Sequence, residues 1–409
     1  MQNKKIAVIG GGAAGLMAAG EAARFGADVT LFEKNEKLGK KLIITGKGRC
    51  NVTNLCDINE FMQNVATNGK FLYSALNYFT PQDCINFFEN LGAELKVERG
   101  NRVFPASDKS FDIIDALKKF ADINGVKIKF AEVKKILAEN GAVTGLTADT
   151  AYKFDSVIIC TGGMSYKSTG SDGDGYRFAR ELGHKITELK PSLVPLEIHE
   201  RWCSDLMGLS LKNITLAVWE DNKKIFEELG EMLFTHFGVS GPLVLSASSH
   251  IRHIGAKDYK LRLDLKPGLS GEQLDKRVLS DFEKYKNKDF KNCLDDLLPK
   301  KLIPVIIKLS NINPDKKVNE ITRAERLELV KLLKNLELSV KKFRPIDEAI
   351  ITCGGIDTRE IQSNKMESKL VGGLYFAGEI IDVDAYTGGF NLQIAFATGK
   401  LAGKNAAVN

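Results

Sequence analysis

The chain has 409 residues, of which 44% are hydrophobic and 27% are charged, and its formal net charge is +6. This composition is typical of a soluble globular protein with two or three domains, and so small a net charge does not favour nucleic acid as a partner. No apolar run approaches about 18 residues, so we expect no membrane span. The seven cysteines show neither zinc spacing nor a redox-active pair, which predicts reduced thiols, no bound metal and a cytoplasmic location.

The first predicted elements are a strand, a helix and a second strand within residues 4–33. The apolar run 6–9 predicts a buried strand, residues 13–25 predict a helix, and residues 27–32 predict a strand that ends in the acid Glu33. A strand, a helix and a strand in this order, with so short a first connection, indicate a parallel βαβ unit.

Glycines at G-x-G-x-x-G spacing, namely Gly10, Gly12 and Gly15, connect the first strand to the helix. Such glycines permit a tight turn, the close approach of a pyrophosphate and close helix–strand packing, while the acid after the second strand accepts hydrogen bonds from a ribose. The free N–H groups of the helix N-terminus suit phosphate. The unit therefore predicts dinucleotide binding by Gly10, Gly12, Ala13, Ala14, Gly15 and Glu33.

Alternating helical and strand patterns continue to residue 190 and keep this region in the same α/β domain. After a glycine- and lysine-rich loop at 38–54, the predicted helices are 70–77, 81–91, 110–124 and 176–182, and the predicted strands are 126–130, 133–138, 142–147 and 156–160. The last strand is fully apolar and stops at Thr161, Gly162 and Gly163. We expect these three residues to line the cofactor cleft.

The character of the sequence changes near Pro191. Residues 191–268 alternate in hydrophobicity and predict strands, with one helix over 242–250, whereas residues 269–335 are lysine-rich and predict helices. This region carries no cofactor motif, so we interpret it as an insertion. A long insertion in a surface loop costs little closure entropy.

An α/β pattern returns after residue 344. Two apolar runs end in Gly354–Gly355 and in Glu379, and a final helix is predicted over 389–407. The predicted domains are 1–190 and 345–409 as the two parts of one domain, 191–268 with 336–344 as the first part of the insert, and 269–335 as its helical part.

The segment Gly373-Leu-Tyr-Phe-Ala-Gly-Glu379 distinguishes between dinucleotides. It resembles the G-L-Y-x-x-G-D motif of large FAD-binding oxidoreductases, in which the acid hydrogen-bonds the ribityl chain, and Glu379 stands at that position. In those proteins the following helix directs its N-terminus at the flavin pyrimidine, where it stabilises the negative charge of the reduced state. The residues expected at this side of the cofactor are Gly378, Glu379, Asp384, Gly388, Gly389, Phe390 and Asn391.

Glycines and polar residues alternate in the loop at 39–54. The glycines permit close approach of the backbone and the polar side chains supply donors, a mixture that suits a flavin edge and phosphates; a solvated basic loop is the alternative. The contacts predicted from this region are Lys34, Lys41, Gly48, Arg49, Cys50 and Asn51.

Motifs along the whole chain resemble the BaiN-like flavoproteins, also described as the aminoacetone-oxidase family of FAD-binding enzymes. The blocks that carry the resemblance are Thr45-Gly-Lys-Gly-Arg-Cys-Asn-Val-Thr-Asn54, Arg102-Val-Phe-Pro105, Thr169-Gly-Ser-Asp-Gly-Asp-Gly-Tyr176, Glu231-Met-Leu-Phe-Thr-His-Phe-Gly-Val-Ser-Gly-Pro242 and Asp384-Ala-Tyr-Thr-Gly-Gly-Phe-Asn-Leu-Gln393. The resemblance implies a Rossmann-like α/β FAD domain interrupted by a β-barrel and a small helical bundle. It also implies non-covalent FAD and oxidoreductase activity, often with NAD(P)H as the donor.

Four side chains are candidates for catalysis. Tyr386 could shield the flavin or donate a proton, or serve packing alone. His236 could be a general acid or a structural histidine, and Arg102 could bind an anionic substrate or form a surface ion pair. Cys50 could act in redox chemistry or pack as a small apolar residue.

These features predict an FAD-dependent oxidoreductase that acts as an NAD(P)H-linked reductase of a small organic substrate, with hydride transfer through flavin N5. No second dinucleotide unit follows, so we expect NAD(P)H to bind only transiently. The alternatives are an O₂-using oxidase of amines or amino ketones, and a tRNA-acting flavoprotein that uses the lysine-rich stretch 284–317. Interleaved acids in that stretch favour a solvated helical face, so we expect no nucleic-acid partner and no membrane partner.

Overall fold

A computed structural model describes residues 3–408 of the chain. The chain divides into two compact units. The split unit comprises the residues up to Ser192 together with those from Pro345 onward, and the inserted unit comprises Leu193–Arg344.

Twelve α-helices and twenty-three strands are formed by the described residues. In chain order the helices are α1 Ala13–Arg24, α2 Lys40–Ile44, α3 Ile58–Gln63, α4 Tyr73–Tyr78, α5 Pro81–Asn90, α6 Ser110–Ile123, α7 Asp174–Glu181, α8 Pro242–Ser248, α9 Gly271–Lys284, α10 Ile303–Ser310, α11 Arg323–Lys334 and α12 Phe390–Val408. The strands are β1 Lys5–Ile9, β2 Asp28–Glu33, β3 Thr53–Asn54, β4 Val65–Thr67, β5 Leu95–Glu98, β6 Arg102–Pro105, β7 Lys127–Phe130, β8 Lys135–Glu139, β9 Ala142–Thr147, β10 Ala151–Lys153, β11 Ser156–Ile159, β12 Lys190–Ser192, β13 Leu196–Ile198, β14 Ser210–Glu220, β15 Lys223–Phe234, β16 Gly238–Ser240, β17 Tyr259–Asp264, β18 Leu336–Phe343, β19 Ile351–Cys353, β20 Ile361–Gln362, β21 Glu367–Ser368, β22 Leu374–Phe376 and β23 Asp384–Ala385.

The centre of the split unit is a seven-stranded sheet in the order β20-β21-β22-β11-β1-β2-β7. The strands from β22 to β7 run parallel. Ile6, Val8 and Ile158 are fully buried, because helices cover both faces of a parallel sheet of this kind. The first βαβ unit occupies β1, α1 and β2, so the predicted Rossmann-like fold is confirmed.

One local prediction in the split unit is wrong. The predicted loop at 38–54 contains α2, which forms because Leu42 is buried and α2 packs against α6. The apolar run before Gly354 forms the strand β19, in which Ile351 and Thr352 are buried and which pairs with β12 in a separate two-stranded antiparallel sheet.

The first and last helices of the split unit pack closely against each other. A side chain at Gly399 or Gly403 of α12 would overlap the backbone carbonyl oxygens of Ala14 and Ala18 of α1, respectively. The two helix backbones therefore touch, and residues nearly 400 positions apart in the sequence share one core.

The inserted unit contains a closed barrel of six strands, β13-β16-β15-β14-β17-β18. The strand β17 alternates between buried and accessible residues, and its Leu261 and Leu263 are fully buried. The predicted β-barrel is therefore present.

The helices α9 and α11 of the inserted unit begin with complete capping boxes at Ser270 and Thr322.

No helix among residues 3–408 has both the length and the apolar character needed to cross a lipid bilayer.

Candidate cofactor site

The turn between β1 and α1 has open space next to Gly12 but no room for a side chain at Gly15. A side chain at Gly15 would overlap the carbonyl oxygen of Gly10, so α1 can approach β1 only without one. At Gly12, which precedes the first turn of α1, a methyl group would meet no atom within 4 Å. No side chain caps α1 and no acid lies in its first turn. The helix N-terminus thus faces a space into which a pyrophosphate fits.

Glu33 lies at the end of β2 beside this turn and is only 7% exposed. One carboxylate oxygen accepts a hydrogen bond from the backbone N–H of Gly11 at 2.8 Å. The other oxygen accepts from the backbone N–H of Asn35 at 2.7 Å and from its side-chain amide at 2.6 Å. These bonds fix the carboxylate next to the glycine turn, where an acid accepts hydrogen bonds from a ribose diol.

Glu379 joins three segments that are distant in the sequence. Its Oε2 accepts from the Lys41 ammonium at 2.7 Å, and its Oε1 accepts from the Ser165 hydroxyl at 3.0 Å and from the backbone N–H of Thr352 at 2.9 Å. Lys41 also donates to the Ser165 hydroxyl at 2.7 Å. A side chain at Gly163 would clash with Glu379 and Thr352, so the strand end after β11 lies directly against this cluster.

Two buried polar atoms near the predicted cleft have no hydrogen-bond partner among residues 3–408. They are Thr161 Oγ1, which follows β11, and Asn51 Oδ1 in the loop before β3. Buried polar atoms in proteins are normally paired, so an unpaired one indicates a missing partner such as a ligand. Both residues were predicted from the sequence to contact the cofactor.

Asn391 in the first turn of α12 fastens the preceding loop to the helix. Its Oδ1 accepts from the backbone N–H of Ala385 at 2.9 Å, and its amide donates to the carbonyls of Ala385 at 2.7 Å and Tyr386 at 3.3 Å. Asn54 donates to the carbonyl of Gly388 at 3.1 Å. Gly389, whose added side chain would overlap Thr53, completes this junction, and Phe390 packs edge-to-face on Phe61.

The residues of the split unit fit FAD. The open space at Gly12 suits the pyrophosphate, Glu33 suits the ribose, and the unpaired atoms of Thr161 and Asn51 supply polar contacts. Gly378 lies against Ala14 of α1, so the first and last motifs meet in one place. Among residues 3–408, no cluster of three or more His, Cys, Asp or Glu has the arrangement of a metal site.

Two cations predicted to contact the cofactor are already paired with carboxylates. Lys34 lies 2.5 Å from Asp172 and 2.9 Å from Asp174. Arg49 pairs with Glu98 and Asp108 and lies over the ring of Phe104, and the hydrogen bonds from these acids raise the pKa of its guanidinium. Both therefore connect loops of the split unit.

The four catalytic candidates lie in different surroundings. Cys50 is fully buried, with a left-handed backbone, and burial raises its pKa to about 12, so the thiol is protonated at neutral pH. Arg102 is exposed at the start of β6 and donates to the carbonyl of Arg99. His236 lies on the inserted unit, exposed and edge-to-face with Phe237. Tyr386 is half-buried, and its backbone N–H donates to Asn64.

Sequence reasoning missed three residues that hold the site together. Ser165 and Thr352 orient Glu379, and Gln393 is fully buried between the Thr53 hydroxyl and the carbonyl of Phe79. Ser165 and Thr352 belong to no motif. Gln393 lies at the end of a motif. Its polar amide within an otherwise apolar helix was the sequence signal that could have identified it.

The split unit combines a Rossmann-like fold, an acid after the second strand, and a C-terminal glycine–acid motif that precedes a helix. This combination is typical of FAD-dependent oxidoreductases, and the protein belongs to that class. Solved structures agree on the fold. The open conformation of a flavocytochrome c3 fumarate reductase matches with a TM-score of 0.53 at 17% identity, over 99% of this chain and 78% of that one. The 3-ketosteroid-Δ4-(5α)-dehydrogenase of Rhodococcus jostii RHA1 matches with a TM-score of 0.51 at 14% identity, over 100% and 98%.

The chain belongs to the family described as the HI0933-like protein Rossmann domain, whose model matches residues 4–405. It is 33% identical to the 3-dehydro-bile acid delta(4,6)-reductase of Clostridium scindens, over 98% of this chain and 99% of that protein. It is 31% identical to the ribosomal RNA dihydrouridine synthase of Haemophilus influenzae, over 96% and 95%. The predicted family and the FAD-dependent oxidoreductase class are confirmed.

Proposed function

We propose that the protein is an NAD(P)H-linked reductase of a carbon–carbon double bond conjugated to a carbonyl group in a small organic molecule. The observation that carries the proposal is chemical. The names of two relatives that match nearly the full chain, a bile-acid delta(4,6)-reductase and a dihydrouridine synthase, both describe the addition of hydrogen to such a bond. The substrates differ greatly in size, so the shared element is the reaction.

The chain's own residues bind and orient the cofactor for this reaction. FAD, when bound, accepts and delivers a hydride at N5. Gly12 and the α1 N-terminus would hold the pyrophosphate, Glu33 would hold the adenosine ribose, and the Lys41–Glu379 pair would hold the ribityl side. The positive end of the α12 dipole would favour the reduced, negatively charged state of the flavin.

Transient binding of the nicotinamide donor is supported by the sheet topology. Within residues 3–408, β1, α1 and β2 are the single βαβ unit that carries the dinucleotide glycines, and FAD uses it. A donor that lacks a domain of its own has to reach the flavin through the substrate side and then leave.

A small-molecule substrate is supported by the charges of the inserted unit. Five of the nine lysines of the stretch 284–317 pair with acids, among them Lys284 with Asp296 at 2.6 Å, Lys291 with Asp315 at 2.6 Å, and Lys317 with Asp289 at 2.7 Å. Paired lysines attract phosphate weakly, so this surface does not favour RNA.

Anaerobic stopped-flow mixing of the FAD-loaded protein tests the proposal. NADPH or NADH is expected to bleach the flavin, and a 3-oxo-Δ4 steroid or a simple cyclic enone is expected to restore its colour. If only a uridine-containing rRNA fragment restored the colour of the oxidised flavin, the substrate would be RNA and not a small molecule. Bleaching by a primary amine, with no response to either nicotinamide, would replace the reductase with an amine oxidase.

A further inference from the structure

Two buried carboxylates lie on the segment that leads into α12. Asp382 is 9% exposed and Asp384, on β23, is 2% exposed. The backbone next to Asp384 is fastened to the first turn of α12 by Asn391. The segment that carries the two acids is therefore fixed to the helix whose N-terminus would stabilise the flavin in the proposed function.

The neighbours of these carboxylates are neutral. The Asn68 amide donates to Asp382 Oδ2 at 3.2 Å and to its carbonyl at 2.8 Å, and Thr187 hydrogen-bonds the same side chain. The Ser192 hydroxyl donates to Asp384 Oδ2 at 3.0 Å. Ser192 is itself 2% exposed, so bulk water does not screen this site.

An independent observation indicates an incomplete hydrogen-bond network at Asp384. Its Oδ1 is buried and has no partner within the chain. Thr67 is the residue opposite Asp384 in the β4–β23 ladder, and its hydroxyl is also buried and unpaired. Side chains of opposite residues lie on the same face of an antiparallel pair, so two unpaired polar groups adjoin one another.

No cation within residues 3–408 forms an ion pair with Asp382 or Asp384. Burial, followed by the charge of Asp384 and then by that of Asp357, raises the pKa of Asp382. Asp357 is itself paired with Arg359, and the remaining titratable neighbour, Tyr176, is an uncharged phenol. Asp382 is thus a buried acid with a second buried acid two residues along the chain and no cation of its own, which favours uptake of a proton by Asp382.

We propose that Asp382, with the buried acid Asp384 beside it in the chain, takes up a proton when the bound FAD is reduced. The two electrons come from the nicotinamide donor or, in the test, from an electrode. The proton comes from solvent and binds a carboxylate oxygen, which balances part of the negative charge that arrives with the electrons. The proposal depends on redox cycling of FAD and not on the identity of the substrate.

The midpoint potential of the bound FAD, measured against pH with an electrode and mediators, tests this proposal without any substrate. Each proton taken up with two electrons adds about 30 mV per pH unit to the slope. The wild-type slope is expected to exceed that of Asp382→Asn by up to this amount in the pH interval where Asp382 takes up the proton, and that of Asp384→Asn because this variant removes the neighbouring negative charge. Equal slopes in all three proteins would overturn the proposal.

The matched control is Asp281→Asn, which removes a buried acid of the inserted unit that has a cationic partner, Arg277, and is expected to leave the slope unchanged. Reduced-minus-oxidised infrared spectra of the wild type provide a measurement that needs no variant to fold. A gain of a protonated-carboxyl band that shifts in D₂O is expected, and its absence would contradict this role of Asp382. Failure to bind FAD would refute the proposed function as well, whereas normal FAD binding with equal slopes would refute this proposal alone.

Discussion

The strand β17 and the helices α9 and α11 of the inserted unit follow local structural rules closely, whereas the cofactor end of the split unit departs from them. The barrel strand β17 alternates between buried and accessible residues, and α9 and α11 start with complete capping boxes. In the split unit, Lys47, Cys50 and Tyr166 adopt left-handed backbone conformations, and polar atoms of Asn51, Thr161 and Asp384 are buried without partners among residues 3–408. Departures also occur in the inserted unit, at Leu193 and at the buried Thr235 hydroxyl, but those of the split unit coincide with the glycine and acid motifs, as expected of a binding site.

The largest expected effect is the loss of stability on substitution of Gly15, which distinguishes it from Gly12 in the same turn. Gly15→Ala places a methyl group on the Gly10 carbonyl, so we expect a loss of unfolding free energy of about 3 kcal/mol or more and no FAD binding. Gly12→Ala meets open space and should fold normally without FAD, but its methyl group occupies the pyrophosphate side, so FAD affinity should fall at least about tenfold. Thermal unfolding of the FAD-free proteins and FAD titration check both. Equal behaviour of the two variants would refute the assignment.

The next effect concerns the inserted unit. Leu263→Ala removes a fully buried barrel side chain and is expected to lower the unfolding free energy by about 2–5 kcal/mol, measured by denaturant titration. Below the unfolding transition, FAD affinity should be unchanged, because no FAD motif lies in this unit. Leu229→Ala, at a residue that is 56% exposed, is the matched control and should change stability by less than about 0.5 kcal/mol. A large loss of FAD affinity with Leu263→Ala would show that the contrast between the units is false.

A smaller effect is expected at the pair that closes the cofactor end. Lys41→Met leaves the Glu379 carboxylate without its cation, so FAD affinity should fall about tenfold, in line with the value of a hydrogen bond to a charged group. Lys40→Met removes a neighbouring lysine whose ammonium contacts Asn35 and Ser168 and should have little effect. Quenching of FAD fluorescence gives both dissociation constants. If Lys40→Met had the larger effect, the assignment of Lys41 would be wrong.

The smallest effect is a pH dependence of stability in the split unit. Burial lowers the pKa of His184, against the opposing influence of Glu360 at 3.3 Å. The unfolded chain then binds a proton before the folded one, so the unfolding free energy should fall as pH drops below about 6.5, by at most about 1.4 kcal/mol per pH unit. His184→Asn should flatten this slope, whereas His253→Asn, at an exposed position of the inserted unit, should not. An unchanged slope in His184→Asn would assign the pH dependence to other groups.

The sequence predicted those parts of the site that depend on local pattern. Gly10, Gly12, Gly15 and Glu33 are recognisable because a turn, a helix start and a strand end lie within about 30 residues. Parts that depend on tertiary packing were not predictable. Lys41 and Glu379 were each named, but not their mutual ion pair, because 338 positions separate them and neither has a spacing rule.

The helix α2 illustrates the same limit at a smaller scale. Residues 39–54 are rich in glycine and lysine, which indicates a loop, but a single buried leucine against α6 stabilises five helical residues. Tertiary packing can override weak local propensity in this way. The unpaired polar atoms and the buried acid pair likewise have no sequence signal, since burial of a polar group is decided by the fold as a whole.

The close contact of α1 with α12 has a consequence for synthesis of the protein in the cell. The face of α1 that carries Ala14 and Ala18 is covered by Gly399 and Gly403, which the ribosome adds only after the whole inserted unit. Until then the growing chain holds an uncovered apolar helix face beside an incomplete cofactor site. Capture of FAD is therefore expected only after the inserted unit has been made.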